Sequence, residues 1–563
     1  MDYNVLIGGA AGQGMETLAS IFEKYLQRNG FSVFTVRDYM SRVRGGHNFI
    51  QIRFGPSALT SHREGLDAIL AMNDETIDYH RRRLSEGGVI VCDLDSVHTG
   101  AGIMKLPLKE AAKEAGNPRA FGSAGLGALL KLFGLGLSDM PEIINEFFRN
   151  EIAVQNTAAL EKGFNLPEKE QFPTEPQKKK KQLLINGNEA TALGALAAGC
   201  RFYSAYPMTP STSIMNYLAS KMEKAEIVVE QAEDEIAAIN MAIGASYAGV
   251  RAMTGTSGGG FALMVEALGL SAMLEVPLVI AEIQRPGPTT GFPTRTEQSD
   301  LKFIISASQG EFPRMVIALR HHEDAFYQTV RAFNLADEFQ IPVVLLGDQF
   351  LADVTTTIEP FDFSRVKIER FISNDDYMGD KEYKRYEITE NGVSPRIIPG
   401  KVPGKTVLVD SDEHDETGHI TEDADVRVKM TDKRMRKLEY LAQKLQEPEF
   451  IGDENAEVLV VAWGSVYGPL LEAINLLNSK KGTKYGALVF GDIWPLPVKS
   501  LKEKAAKAKM LINVEQNATG QLASLIREVT CIPCDASILK YDGRPLNASE
   551  IAEKLEKAVN KNA

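Results

Sequence analysis

The chain has 563 residues, 44% of them hydrophobic and 24% charged, with 47 Gly and 25 Pro. At roughly 150 residues per domain that composition predicts several packed domains and excludes wholesale disorder or a collagen-like chain. Lys and Arg number 62 against 75 Asp and Glu, a formal charge of −13, and the longest basic run is Lys178 to Lys181; nucleic-acid and anionic-membrane partners are disfavoured.

The N-terminus, Met1 to Asn4 followed by Val5-Leu6-Ile7, carries no basic segment or cleavage pattern, which argues against a signal peptide. The longest apolar stretches, such as Val458 to Leu471, close at Glu457 and Glu472 and fall short of the ~20 residues of a membrane span. We expect a cytoplasmic protein with no membrane partner. Cys92, Cys200, Cys531 and Cys534 are too few for a disulfide scaffold. No iron–sulfur centre is expected on this chain, and no metal site is assigned to it.

Residues 1–165 predict an α/β domain with a mostly parallel sheet, because short β-rich runs alternate with helical patterns. Its first strand runs into Gly8-Gly9-Ala10-Ala11-Gly12-Gln13-Gly14 and then a helix. Glycines there let backbone amides approach an anion at a helix start. The order is not G-x-G-x-x-G, so dinucleotide binding, another phosphate-bearing ligand and a plain packing turn all stay open. Residues 166–182 hold three Pro and dense charge and read as a linker.

Residues 183–358 predict a second α/β domain. It contains the loop Tyr206-Pro207-Met208-Thr209-Pro210, a helix from about Glu233 to Ala248, and the glycine turn Gly255-Thr256-Ser257-Gly258-Gly259 between a strand and a helix. That turn matches G-x-S-x-G, so a nucleophile elbow is one reading. A turn that lets a flat ligand meet the backbone at Gly258 and Gly259 is the other. Glu235 opens a helix that is otherwise almost wholly apolar; burial there favours the protonated form and lets the carboxyl share a proton with a heterocyclic nitrogen. An exposed first-turn Glu, favoured by the helix dipole, is the alternative, and Glu233 and Asp234 suit it better. Residues 359–450 read as a charged extension, whose His414 and His419, with nearby carboxylates, could bind a metal but better fit a solvated acidic loop. Residues 451–563 predict a third α/β unit.

At this point the residues resemble the α subunit of 2-oxoacid:ferredoxin oxidoreductases. The resemblance is carried by Tyr206 to Thr212, by Glu235 with Gly244 nine residues on, by Thr254 to Gly260 and by Arg285-Pro-Gly-Pro-Thr-Thr290. The N-terminal domain, with Gly9 to Gly14 and Arg42-Val-Arg44-Gly45-Gly46-His47, is similar to the family's γ subunit, so the chain looks like a γ–α fusion. Phe490 to Pro497 and Val514 to Gln521 extend the likeness into a transketolase C-terminal-like domain.

The resemblance implies oxidative decarboxylation of a 2-oxoacid, with 2-oxoglutarate favoured, to acyl-CoA and CO₂, with electrons passing to ferredoxin, or the reverse carboxylation. It implies thiamine diphosphate, with Glu235 at the aminopyrimidine and Pro207, Gly258 and Gly259 lining the cofactor. Thr209 and Arg285 are the implied substrate groups, since a guanidinium grips a carboxylate through two parallel bonds. Thr290 would add a hydroxyl, and Arg295 is an alternative clamp. Gly12, Gln13, Gly14 and Arg44 are candidates for the phosphates of coenzyme A.

No Gly-Asp-Gly motif with a following Asn occurs; Gly347-Asp348-Gln349 and Gly491-Asp492-Ile493 lack the second Gly. The family pattern therefore implies a β subunit that brings the diphosphate-binding domain, Mg²⁺ and a [4Fe–4S] cluster, in a dimer of γα/β units. The rival readings are a CoA-independent or indolepyruvate-type enzyme of the same cofactor class, and a non-catalytic Rossmann-like binding subunit.

Overall fold

The computed structural model describes residues 1–40 and 46–562, and the chain divides into two compact units. The first comprises Met1–Ile185, Val354–Pro360 and Asn547–Ser549. Its strands are β1 (Tyr3–Ala10), β2 (Ser32–Asp38), β3 (His47–Gly55), β4 (Leu66–Ala71), β5 (Leu84–Asp93), β6 (Ile103–Leu106) and β7 (Leu183–Asn186). They form one sheet in the order β6-β5-β4-β1-β3-β2, followed by the late strand Thr355–Ile358 and β7. The β1–β4, β4–β5 and β5–β6 pairs are parallel, whereas β3 lies antiparallel to both β1 and β2. The sheet is thus more mixed than the mostly parallel one expected. The reason is local: only residues 39–46 lie between β2 and β3, too few for the crossover that parallel neighbours need.

Two boundaries differ from those expected. The segment 166–182 is not a free connector, because Phe172 stacks on Phe133 at 5.0 Å and the amides of Gln171 and Phe172 donate to Leu132 O. One aromatic ring anchors a stretch whose charge and Pro content suggested none. Residues 354–360 leave the second unit: Thr355 and Thr356 pair with Thr35 and Phe34 of β2, and Thr356 Oγ1 donates to Val33 O at 2.8 Å. β-branched residues suit that edge.

The second unit carries a seven-stranded sheet built on β8 (Phe202–Ala205), β9 (Val228–Gln231), β10 (Ala252–Thr256), β11 (Leu278–Gln284), β12 (Met315–Ala318) and β13 (Pro342–Asp348). Its order is Asp492–Trp494, β12, β13, β11, β10, β8, β9, and every pair except that with Asp492–Trp494 is parallel. Every residue of β11 and β13 is buried, as strands covered on both faces must be.

A smaller sheet of five strands follows from residue 449, with Val458–Trp463 at its centre. It shares a core with the seven-stranded sheet through Trp463, Leu488, Phe490 and Ile493. The motif from Val514 to Gln521 has a structural task here. The buried Glu515 carboxylate accepts from Trp463 Nε1, Asn517 Nδ2 and the amides of Leu522 and Ala523, closing the start of the Gln521–Thr530 helix.

The charged extension is anchored by its own helix, Ala424–Leu441, which buries Lys433 and Lys437 against Glu275 at 2.5 and 2.6 Å. His414, expected in a solvated loop, is fully buried with its ring 3.9 Å from that of Tyr386. Among the described residues no helix is long and apolar enough to cross a membrane.

Candidate functional site

The site forms at the C-terminal ends of β8, β10 and β11, where open α/β sheets present their loops. The Glu235–Tyr247 helix is started by Asp234, whose side chain accepts from the Ala237 amide at 2.7 Å. Asp234 and Glu233 are exposed, so they take the solvent-facing role and Glu235 turns inward. Ser204 Oγ of β8 donates to Ala238 O at 2.6 Å and fixes the helix to the sheet.

Glu235 is only 5% exposed. Among the described residues its carboxyl has no hydrogen-bond or ion-pair partner. It points at the start of the Gly258–Met273 helix, where a β-carbon on Gly260 would come inside 3.0 Å of both Glu235 Oε1 and Thr256 Oγ1. This helix begins Gly258-Gly259-Gly260 and its N-cap, Ser257, makes no side-chain cap bond. Its first three residues therefore put no side chain of their own beside the carboxyl. Ser257 Oγ is wholly buried and unpartnered. A nucleophile elbow exposes its hydroxyl, so the hydrolase reading loses its support.

The loop after β8 completes the pocket. Met208 Cε lies 3.2 Å from where a Gly259 β-carbon would be, and Thr289 O lies 3.6 Å from the same point. Thr209 meets Arg285, but through its carbonyl, which accepts from Nη1 at 2.8 Å. Arg285 is 8% exposed and no acidic partner faces it among the described residues; burial lowers its pKa. Burying an unpaired guanidinium is costly, and a carboxylate ligand would relieve that cost.

These contacts bring Met208, Thr256 and Glu235 together at Gly259 and Gly260, and join Thr209 to Arg285 on the neighbouring loops. Thr290 follows at the exposed end of the same loop. Arg295 packs instead beside Gly543 and Phe292: a β-carbon on Gly543 would lie 3.1 Å from both Arg295 Cβ and Phe292 Cδ2. In the first unit, Gly12 and Gly14 have φ of +91° and +81° and open surroundings, while Gln13 Oε1 accepts from the Ala10 amide at 2.7 Å. Gln13 is thus occupied in shaping its own loop. Arg44 lies outside the described residues.

Sequence reasoning missed two acids. Glu282 is wholly buried in β11, and Asp300 follows on the next loop with its carboxyl against Gly258. Burial, then the Asp300 charge, pushes Glu282 well above the usual carboxylate range, and burial raises Asp300 to about 6. The signal was a charged residue inside Leu278-Val-Ile-Ala-Glu-Ile-Gln284, an otherwise apolar strand. The two Gly-Asp pairs serve the fold: Asp348 accepts from Ser465 Oγ at 2.5 Å, and Asp492 pairs with Arg331 at 2.6 Å.

An unpartnered carboxyl at a bare glycine helix start fits a flat heterocycle carrying a ring nitrogen, and thiamine diphosphate has such an aminopyrimidine. The fold and the site together define an α/β protein with a thiamine-diphosphate-type domain. Three family models agree. "Pyruvate flavodoxin/ferredoxin oxidoreductase, thiamine diP-bdg" matches residues 193–433, "Pyruvate ferredoxin/flavodoxin oxidoreductase" matches 4–166, and "Pyruvate:ferredoxin oxidoreductase core domain II" matches 456–551. The chain is 33% identical to a 2-oxoacid:ferredoxin oxidoreductase subunit alpha of Sulfolobus sp., covering 98% of this chain and 96% of that one. It is 32% identical to a 2-oxoglutarate synthase subunit KorA of Methanothermobacter thermautotrophicus, over 66% of this chain and 96% of the relative. A solved 2-oxoglutarate:ferredoxin oxidoreductase from Magnetococcus marinus, with 2-oxoglutarate, coenzyme A and succinyl-CoA bound, superposes with a TM-score of 0.92 at 32% identity, covering 99% of each chain. The chain belongs to the 2-oxoacid:ferredoxin oxidoreductase family, as a subunit of the α type.

Proposed function

We propose that this chain holds the aminopyrimidine half of the thiamine-diphosphate site and grips the substrate carboxylate in a 2-oxoglutarate:ferredoxin oxidoreductase that uses coenzyme A. The observation that carries the reading is the buried, partnerless Glu235 carboxyl at the Gly258-Gly259-Gly260 turn. Glu235 holds a proton at the pyrimidine ring nitrogen, and the glycine turn leaves room for the ring to lie on the backbone. Pro207 and Met208 close the far side of the pocket and exclude water. When bound, the cofactor serves as electron sink for cleavage of the bond to the departing carboxylate.

Arg285 binds the carboxylate of the 2-oxoacid, and Thr209, whose carbonyl aims Arg285, offers its hydroxyl to the ketone. Thr290 adds a hydroxyl at the loop end. A five-carbon diacid needs a second cation for its distal carboxylate, which we assign to Arg295. The 2-oxoglutarate relatives support this choice of substrate. Gly12, Gly14 and Arg44 are proposed to meet the phosphates of coenzyme A.

A β subunit would supply the diphosphate-binding domain, Mg²⁺ and the [4Fe–4S] cluster that passes electrons to ferredoxin, in a dimer of paired subunits. Exposed Ile236 and Met241 on the Glu235 helix and Leu263 on the glycine-started helix, at 49, 43 and 51% exposure, support a second chain beside the site.

The test is a substrate panel on the chain co-expressed with its β partner, following 2-oxoacid-dependent reduction of a low-potential acceptor with and without coenzyme A. CoA-dependent turnover preferring 2-oxoglutarate supports the reading. A preference for pyruvate removes the assignment of Arg295, and turnover indifferent to coenzyme A removes the acyl-CoA product.

A further inference from the structure

We propose that Glu282 and Asp300, joined by one shared proton, are a positioning pair that fixes the first turn of the Gly258–Met273 helix against Glu235. The role in catalysis rests on the reading of Glu235 given above; the pair itself rests on geometry.

Neither oxygen of Glu282 receives a bond from an N–H or hydroxyl donor. The Asp300 carboxyl lies against Gly258, two residues beyond Thr256, the β10 residue in register with Glu282, which sets the two acids beside each other; two carboxyls can bond only with a proton between them. The wholly buried member keeps it: Glu282 donates and Asp300 accepts. The Asp300 anion then lies at a helix N-terminus, where the dipole favours it.

Among the described residues no cation takes the place of that proton. In register with Glu282 stand Thr256 of β10 and Leu346 of β13, both uncharged. Asp348, farther along β13, is raised to about 6 by burial, and Glu297, on the loop before Asp300, is raised to about 7 by burial and then by the charges of Asp300 and Asp542. The neighbouring cations are engaged elsewhere: Lys302 Nζ donates to Ser524 Oγ at 2.6 Å and Arg285 donates to Thr209 O. Gln284 Oε1 accepts the Asp300 amide at 3.0 Å and ties the loop back to β11.

The placement gives the pair its function. A β-carbon on Gly258 would run into the Asp300 carboxyl, and one on Gly260 would run into Glu235. Residues two apart on a helix point about 200° apart, so the two carboxyls grip one helical turn from opposite sides. If both Glu282 and Asp300 ionise, like charges separate, Asp300 leaves Gly258, and the turn no longer holds Glu235 in place.

The experiment has two arms. In the first, infrared difference spectra of the full chain at neutral pH compare the wild type with Glu282→Gln. A protonated-carboxyl carbonyl band present only in the wild type is expected, and its absence overturns the pair. In the second, pH profiles of kcat and KM are measured on the chain with its β partner. Glu282→Leu should lower kcat at least tenfold with little change in KM. Glu282→Gln, which still donates but cannot ionise, should recover most of that loss and move the alkaline limb up by about one pH unit or more. Equal profiles for wild type and Glu282→Gln, or wild-type kcat in Glu282→Leu, overturn the positioning role. Wild-type turnover by Glu235→Ala would instead sink the reading of Glu235 and leave the infrared band standing.

Discussion

The carboxyl of Glu235 lies against the bare Cα of Gly260, so near that a β-carbon there would fall inside 3.0 Å of Oε1. The glycine is therefore required by two side chains, Glu235 and the still nearer Thr256, rather than by its own backbone angles. The carboxyl and the hydroxyl both end rotatable side chains, so a methyl group would displace them without breaking the helix.

Gly260→Ala should accordingly fold normally and lose turnover. A misplacement of about 1 Å at a reacting group costs on the order of 100-fold. Thermal unfolding should shift by no more than a few degrees while 2-oxoacid-dependent reduction of a low-potential acceptor falls about that much. Full activity in this variant would show that the carboxyl need not sit where it does.

Glu235→Gln keeps the shape and removes the acid. Positioned proton exchange contributes about 10²–10⁴-fold, and the turnover number should fall within that range at unchanged stability. Steady-state kinetics on the assembled enzyme measure it.

Arg285→Lys keeps the charge but loses the planar fork. Loss of one charge-assisted bond, about 1.5–3 kcal/mol, lowers kcat/KM roughly 10- to 100-fold. Most of the change should appear in KM for the 2-oxoacid, and Arg285→Met should be worse still.

Glu275 is, among the described residues, the carboxylate that pairs with both Lys433 and Lys437, at 2.5 and 2.6 Å. Glu275→Gln leaves two buried ammonium groups without a counter-charge and should cost about 3–5 kcal/mol. Urea unfolding of the full chain is the readout. Replacing all three residues with apolar ones of similar volume should recover most of the loss.

His80 gives the first unit an acid limit. It bonds His47 through the two Nε2 atoms at 2.8 Å, and burial, then the charges of Arg83 and His47, lowers its pKa from 6.5 to about 3. The unfolded chain binds a proton below 6.5 that the folded chain refuses until about 3, so stability falls as pH drops through that window. Between pH 7 and pH 5 the loss from this group is on the order of 2 kcal/mol. Denaturant titrations at the two pH values should show it in the wild type and much less of it in His80→Gln.

Much of the site could be read from local sequence. Asp234 before an apolar helical run, Glu235 as its first residue, and three consecutive glycines after a strand each fix their own conformation within a few residues. Arg285 was legible as a cation in a Pro-Gly loop, though not that the carbonyl of Thr209, 76 positions away, would aim it. The reading of 166–182 as a linker did not foresee its packing on the first unit, through Phe172 on Phe133 and backbone bonds to Leu132, because composition averages over individual contacts.

The amino-acid order by itself determined the helix starts, the glycine turn, the apolar strands and the chemical identity of the acid and the arginine, since capping, φ freedom and hydrophobic period act over neighbouring residues. Only the folded chain decided which distant groups meet: Thr355 on β2, Lys433 on Glu275, and Glu282 with Asp300 across the start of one helix. Those pairings follow from sheet register and burial; withdrawal from water raises Glu282 and Asp300, while the lysine charges overcome burial and hold Glu275 below the usual carboxylate range.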